Sequence, residues 1–268
     1  MGTEMVRIKE LLEAANGINT TDLSFDDRCK RYNSRSGDLT GYDCPICHNK
    51  GHIMYMRDGY EFFADCECME KRRSLWRIQR SGLADMVGRY RFDTFETKTE
   101  LQRMVKLMAE EFVKQGAGWF YIGGQPGAGK THICTAIAST LMEQGKSLRY
   151  MVWTEEITKL KSLRMHDEEY QREINRWKTP EVLYIDDLFK TRQGSEPTDA
   201  DVNIAFEIVN ARYNDKDLIT IFSGERSIGE VIDIDEGLGS RIYQRCGRFK
   251  LTIGKDDTKN YRVREQNV

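Results

Sequence analysis

The stretch Gly123-Gly124-Gln125-Pro126-Gly127-Ala128-Gly129-Lys130-Thr131 carries the sharpest chemical signal in the chain. From Gly124 it reads G-x4-G-K-T, directly after the apolar run Trp119-Phe120-Tyr121-Ile122 and before a helical stretch over roughly 130–144. Glycines let successive backbone N–H groups turn inward around a β-phosphate at the positive end of a helix. A lysine at the end of such a loop reaches the β- and γ-phosphates, and the hydroxyl beside it takes Mg2+. Gly124, Pro126, Gly127, Ala128, Gly129, Lys130, Thr131 and His132 are therefore the expected nucleotide-binding residues. A nucleotide site needs a second arm, and the apolar run Val182-Leu183-Tyr184-Ile185 ends in Asp186-Asp187. Asp186 is expected to hold Mg2+ through water and Asp187 to polarise the attacking water, on a strand beside that of the loop.

A second cluster has metal-ligand spacing. Cys44-Pro45-Ile46-Cys47 and Cys66-Glu67-Cys68 frame an alternating, hairpin-like stretch from His52 to Phe63. Two such pairs complete a tetrahedral S4 site that suits Zn2+, with Gly51 able to supply a positive φ in the knuckle. His48 and His52 are possible substitutes for one thiolate. Four protein ligands leave no open position for catalysis, so the role is structural, and so short a module draws much of its folding free energy from the metal. Cys29, Cys134 and Cys246 stand alone and read as small apolar or partly exposed thiols.

These residues imply three segments: an N-terminal helix and zinc module over 1–69, a basic linker helix over 70–92 and an α/β domain over 93–268. Val6 to Ala15 has the spacing of a short amphipathic helix. After Cys68, Lys71, Arg72, Arg73, Arg77, Arg80, Arg89 and Arg91 interleave with Trp76 and Ile78. That pattern fits a helix lying on nucleic acid or an acidic partner, and equally a solvated helix, with Gly82 and Gly88 at the boundary. The α/β domain opens with a helix over Leu101 to Gln115. Its later strand, Leu218 to Phe222, ends in Ser223-Gly224-Glu225, where a polar side chain can sense a γ-phosphate. Arg241 fits an arginine reaching a neighbouring subunit's site, and equally a surface ion pair.

Composition sets the outer limits. The chain has 268 residues, 41 Lys plus Arg against 43 Asp plus Glu, and a net charge of −2. That excludes a strongly basic nucleic-acid coat and leaves room for local patches. No apolar run approaches the ~20 residues of a membrane span. The opening MGTEMVRIKE lacks a signal-peptide core and a myristoylation pattern, so a cytoplasmic protein with no membrane partner is expected.

Together GGQPGAGKT, LYIDDLFK, ITIFSGERSIGEV, GSRIYQRC and DDTKNYRV resemble the AAA+ ATPases of the DnaC/DnaI helicase-loader family, in particular phage-type members with an N-terminal zinc module. The resemblance implies an α/β AAA+ fold with a five-stranded parallel sheet, ATP and Mg2+ bound between self-associating subunits, and Zn2+ in the module. It implies a DnaB-like hexameric replicative helicase gripped by that module, and single-stranded DNA as the track. Lys130 and Thr131 match Walker A, Asp186 and Asp187 Walker B, and Arg241 the arginine finger, with Arg245 a secondary candidate. Two positions depart from the usual pattern. The second Walker B acid is Asp where many AAA+ enzymes have Glu, and Glu225 falls where the first sensor is often Asn, leaving Ser223 to share that role. The stretch from Glu155 to Lys178, with Lys159, Lys161, Arg164, Arg172, Arg176 and Trp177, is a candidate DNA-facing surface. Two other functions fit the same motifs: an IstB-like transposition helper, and a zinc-containing DNA-binding adaptor with little ATP turnover.

Overall fold

The computed structural model describes residues 25–40, 42–58, 60–191 and 195–254. The expected helix over Val6 to Ala15 and the DDTKNYRV segment lie outside the described residues. The chain divides into two compact units, the first ending at Arg73 and the second beginning at Ser74. The division falls within a helix, not at a loop.

The first unit contains helix α1 (Phe25–Ser34), strands β1 (His52–Arg57) and β2 (Tyr60–Asp65), and the start of α2 (Cys68–Ser81). The strands form an antiparallel hairpin from His52↔Asp65 to Arg57↔Tyr60. The dipeptide Asp58-Gly59 is a strong turn signal, and Asp58 adopts the left-handed φ of +53° that such turns use. Asn33 of α1 acts as a short surrogate strand on β1. Its Nδ2 donates to the Met54 carbonyl at 2.8 Å and its Oδ1 accepts from the Met54 N–H at 2.9 Å.

The second unit is a three-layer α/β domain. In chain order it runs α3 (Ala84–Val87), α4 (Glu100–Gln115), β3 (Trp119–Gly124), α5 (Lys130–Glu143), β4 (Leu148–Val152), α6 (Trp153–Leu163), α7 (Asp167–Lys178), β5 (Val182–Leu188), α8 (Asp199–Tyr213), β6 (Ile219–Gly224), α9 (Ile228–Ile234), α10 (Glu236–Cys246) and β7 (Lys250–Ile253). The five strands are parallel in the order β4-β5-β6-β3-β7. Strands covered on both faces must be apolar throughout, which is why the runs in β3, β5 and β6 are continuous and not alternating. The period of two still sorts them. Phe120, Ile122, Val182, Tyr184, Ile219 and Ile221 pack on one face with Phe112, Ile133 and Leu141. Trp119, Tyr121, Leu183, Ile185 and Phe222 pack on the other with Ile204, Ile208 and Ile242.

The order corrects one expectation, because β6 lies between the strand of the Gly-rich loop and the strand ending in Asp186-Asp187. α4 starts with a capping box between Thr99 and Gln102 and stops at Gly116, left-handed at φ +64°. Arg212, fully buried, donates to the carbonyls of Lys178, Pro180 and Ile219, tying α8 to the segments that lead into β5 and β6.

The stretch from Glu155 to Lys178 also differs from its expected role. Trp177 is buried in the core beside Ile174 and is not available for base stacking. Lys159 and Arg176 pair with Glu173, and Lys161 pairs with Asp201. Those charges are spent within the domain. No helix among the described residues is long and apolar enough to cross a membrane.

Candidate functional site

The Gly-rich loop leaves the end of β3 and enters α5 within a few residues. A Cβ at Gly124, whose φ is +105°, would lie 2.1 Å from the Ile253 carbonyl oxygen, so only glycine fits where the loop crosses β7. Gly129 caps α5 at φ +83°, and a Cβ there would press on the Phe95 ring at 3.2 Å. Lys130 folds back over the loop, donating to the carbonyls of Gly124 at 2.8 Å and Gln125 at 2.7 Å. Burial lowers its pKa, while the carboxylates of Asp187 and Glu225 pull the other way.

Asp186 is the best-held carboxylate in the site and is buried. Its Oδ1 accepts from Thr131 at 3.3 Å and from the hydroxyl of Ser223, and its Oδ2 accepts from Tyr150 at 2.8 Å. One carboxylate thus collects hydroxyls from α5, β6 and β4. Burial, then the charge of Asp186, raises the Tyr150 phenol far above its ordinary range, so it remains a donor. After Ile185 the β5–β6 register breaks, and Asp187 and Phe189 adopt φ of +58° and +57°. That irregular turn breaks the strand alternation that would send Asp187 away from the loop. Asp187 then meets Lys190 at 2.7 Å, and Lys190 also meets Glu225 at 3.2 Å.

These groups line a cleft of about 420 Å3. One wall is Pro126, Gly127, Gly129, Lys130, Thr131 and His132; a second is Asp187, Lys190 and Glu225. The third wall is the segment before α4, with Arg89, Tyr90, Thr94, Phe95 and Glu96. His132 fastens that segment. Its Nε2 donates to the Arg91 carbonyl at 2.9 Å, and its ring packs between Tyr90 and Phe95. The arrangement suits a nucleoside triphosphate: a helix N-terminus and Lys130 for phosphates, Thr131 and Asp186 side by side for Mg2+, and an aromatic wall for an apolar portion.

The second cluster lies within the first unit. Cys44, Cys47, Cys66 and Cys68 are all buried, with their sulfurs within 4.8 Å of one another. Cys44 and Cys66 approach to 3.7 Å, and Cys47 and Cys68 to 3.5 Å. A tetrahedral Zn2+ with Zn–S bonds of ~2.3 Å needs S···S edges of about 3.8 Å, which these two edges match, with all four sulfurs inside 4.8 Å. The knuckle closes through left-handed His48, Asn49 and Gly51, and the Gly51 N–H donates to Cys47 Sγ at 3.3 Å. Burial opposes ionisation of Cys47, but that N–H and the neighbouring sulfurs bring it down to about 6; burial pushes Cys68 up to about 12. Around this centre Arg72 donates to the Thr40 carbonyl at 2.6 Å and to Asn49 Oδ1 at 2.7 Å.

A model of the IstB-like ATP-binding protein family matches residues 68–245. The chain belongs to that family. This IstB-like ATPase is 30% identical over 228 residues to the phage-like element PBSX protein XkdC of Bacillus subtilis (strain 168), covering 81% of this chain and 84% of XkdC. Over a shorter stretch of 75 residues, 26% of this chain and 30% of the relative, it is 36% identical to the replicative helicase loader DnaC of Buchnera aphidicola subsp. Acyrthosiphon pisum (strain APS). A crystal structure of the DnaC helicase loader superposes with a TM-score of 0.51 at 22% identity, covering 63% of this chain and 98% of that one. The fold is that of an AAA+ P-loop ATPase, with the five-stranded parallel sheet its motifs imply.

The structure of this IstB-like ATPase gathers Gly127, Gly129, Lys130, Thr131, His132 and Asp187 at one cleft, with Asp186 immediately behind Thr131. It does not gather every expected residue there. Ser223 is buried against Asp186 and does not line the cleft, whereas Glu225 does, neutralised by Lys190. Arg245 donates to the carbonyls of Asp215, Lys216 and Leu218 and lies over Trp119. Arg241 donates to the Gly237 carbonyl at 2.7 Å and covers Phe206 and Tyr213. His52 stacks on Tyr32, and neither it nor His48 joins the four-sulfur cluster. Arg72 and Arg73 serve the first unit, the latter paired with Asp65, so the basic run after Cys68 is not a uniform binding face.

Four contributors escaped the sequence reading. Tyr150 carries no motif, and Lys190, the last residue of LYIDDLFK, has no role legible there, because only the strand order and the turn after β5 bring them to Asp186 and Asp187. Tyr90 and Phe95 had a legible signal, an aromatic-rich stretch (RYRFDTF) just ahead of the helix that precedes the loop.

Proposed function

We propose that this AAA+ ATPase loads a DnaB-like hexameric replicative helicase onto single-stranded DNA, with ATP binding driving assembly and hydrolysis releasing the loader. The observation that carries this reading is the 36% identity to a replicative helicase loader, in a chain that also holds a four-thiol module ahead of its ATPase domain. In this reading the module binds Zn2+ through Cys44, Cys47, Cys66 and Cys68 and presents the helicase-binding surface, and the ATPase domains self-associate on the DNA.

The chemistry follows from the cleft. The N–H groups from Gly127 to Thr131 cradle the phosphates at the start of α5, and Lys130 moves from its two carbonyls onto the β- and γ-oxygens. Thr131 and Asp186 hold Mg2+, which supplies neutralisation of charge building on the β–γ bridge. Tyr150 and Ser223 keep Asp186 oriented, and Asp187 positions water and accepts its proton. Arg241 of a neighbouring subunit leaves its Gly237 and aromatic contacts to reach the γ-phosphate, a contribution that can be worth ~10^3 in rate.

The match to the IstB-like model favours a second reading, in which the same engine delivers a transposase. An adaptor with little turnover would keep partner assembly after Lys130→Ala; a loader would lose it. Light scattering after size-exclusion chromatography, with a DnaB-type helicase from the same replication system and with or without ATP, separates the loader from the helper. An ATP-sensitive complex containing both proteins is expected. Separate elution under every nucleotide condition would turn the assignment to the transposition helper.

A further inference from the structure

The turn after β5 holds a cation that neither the Gly-rich loop nor the paired acids account for. Its backbone closes with the Lys190 N–H donating to the Asp187 carbonyl at 2.9 Å, and Asp187 and Phe189 adopt a left-handed φ that L side chains rarely take. The closure fixes the Lys190 ammonium 2.7 Å from Asp187 Oδ2 and 3.2 Å from Glu225 Oε1. All three side chains are about one-third exposed and all line the cleft with Lys130 and Thr131. Lys190 therefore does two things: it offsets a glutamate that would repel a phosphate, and it occupies the oxygen with which Asp187 would engage water.

We propose that Lys190 reads the third phosphate: the γ-phosphate competes with Asp187 and Glu225 for its ammonium, so ATP, and not ADP, draws Lys190 away and leaves Asp187 Oδ2 open to the attacking water. The cleft makes this competition unequal. A γ-phosphate carries more charge than either carboxylate, and Lys130 on the opposite wall, shared between β- and γ-oxygens, leaves γ-oxygens that still need a cation. Asp187 loses its partner only when the substrate that needs a base has arrived. The aspartate at this position has a shorter reach than a glutamate, and a cation that must first be removed adds a second brake on futile hydrolysis. The inference rests on the ATPase assignment and is independent of which partner is loaded.

The test is the ratio of ATP to ADP affinity in the full chain, read by titration with Mg2+ present. For Lys190→Gln the preference for ATP falls about tenfold, the size of one charge-assisted hydrogen bond, with ADP affinity nearly unchanged. Lys190→Arg restores most of the preference. Glu225→Gln moves it the other way, because a competing anion is gone. A Lys190→Gln protein with an unchanged ratio, or with both affinities lowered together, overturns the proposal. Should Lys190→Gln fail to fold, an unchanged ratio in Glu225→Gln overturns it as well. A parent protein that bound neither nucleotide would overturn the site itself, and the role of Lys190 with it.

Discussion

The two units place opposite chemistry at their centres. In the ATPase domain two apolar clusters sandwich a sheet, and the buried carboxylate of the cleft, Asp186, is satisfied by hydroxyls on three elements. In the first unit the buried cluster among the described residues is the four cysteines, with Tyr42 and Ile53 packed against them. Elsewhere the hairpin leaves Tyr60, Phe62 and Phe63 exposed. The larger unit has enough buried apolar area to offset chain entropy, whereas the smaller one, with its buried cluster made of sulfurs, is expected to draw on a metal. The difference teaches that the same residue type, cysteine, is filler in one unit, as with Cys134 and Cys246, and the core itself in the other.

Removing metal is the strongest way to break that contrast. Prolonged treatment with a high-affinity chelator, or Cys47→Ser, is expected to unfold the hairpin and the knuckle outright, since structural zinc supplies on the order of 10 kcal/mol to domains of this size. The ATPase domain should retain its own thermal transition. Proteolysis mapped by mass spectrometry checks both halves at once. Cleavage confined to the first unit is expected, and one cooperative loss of both units would show that the second also depends on the metal.

Much of this was legible in the sequence, for physical reasons specific to each region. Parallel strands buried on both faces must be runs such as Trp119–Ile122 and Val182–Ile185, and Gly123 and Gly124 are forced by backbone approaches no other residue tolerates. Cysteine spacing is legible because a tight knuckle fixes which sulfurs can meet. Strand order is not written in periodicity, so the insertion of β6 between the two site strands, and with it the place of Ser223, stayed hidden. A cation's partner is not written either. Arg72, read as part of a basic face, and Arg245, read as a secondary finger candidate, hold backbone carbonyls within their own units, and Arg73 pairs with Asp65 at the surface, while Lys190, at the end of LYIDDLFK, sits in the cleft. Trp177 sits at helical spacing from Ile174, a core pattern that its neighbouring basic residues masked.

Tyr150→Phe probes the polar exception within the apolar domain. The ring should stay against Tyr184, whose centroid is 5.0 Å away, while Asp186 Oδ2 loses its phenol donor. A hydrogen bond to a charged group is worth about 1.5–3 kcal/mol, so binding of ATP in limiting Mg2+ should weaken about tenfold or more, and excess Mg2+ should recover part of it. Metal-independent ADP binding should change little. Equal weakening with and without Mg2+ would mean that Tyr150 supports the sheet and not the carboxylate.

The smallest expected effect concerns the clasp on the aromatic wall, and its sign can be fixed in advance. Burial lowers the pKa of His132 below its ordinary 6.5, against the pull of the Arg91 carbonyl. A folded state that binds the proton less readily than the unfolded chain gains stability as pH rises between the two pKa values. The contribution is complete above about pH 6.5 and is lost as pH falls through the lower, folded value. Because the ring is partly exposed, solvent screens the effect, and it should appear as a modest drop in denaturant midpoint, not as acid unfolding. His132→Gln should flatten that part of the curve, while His48, His52 and His166 remain in both proteins as internal controls. Denaturation curves between about pH 7.5 and about pH 5 give the answer: converging midpoints at acid pH place the slope in the clasp, and parallel ones remove His132 from it.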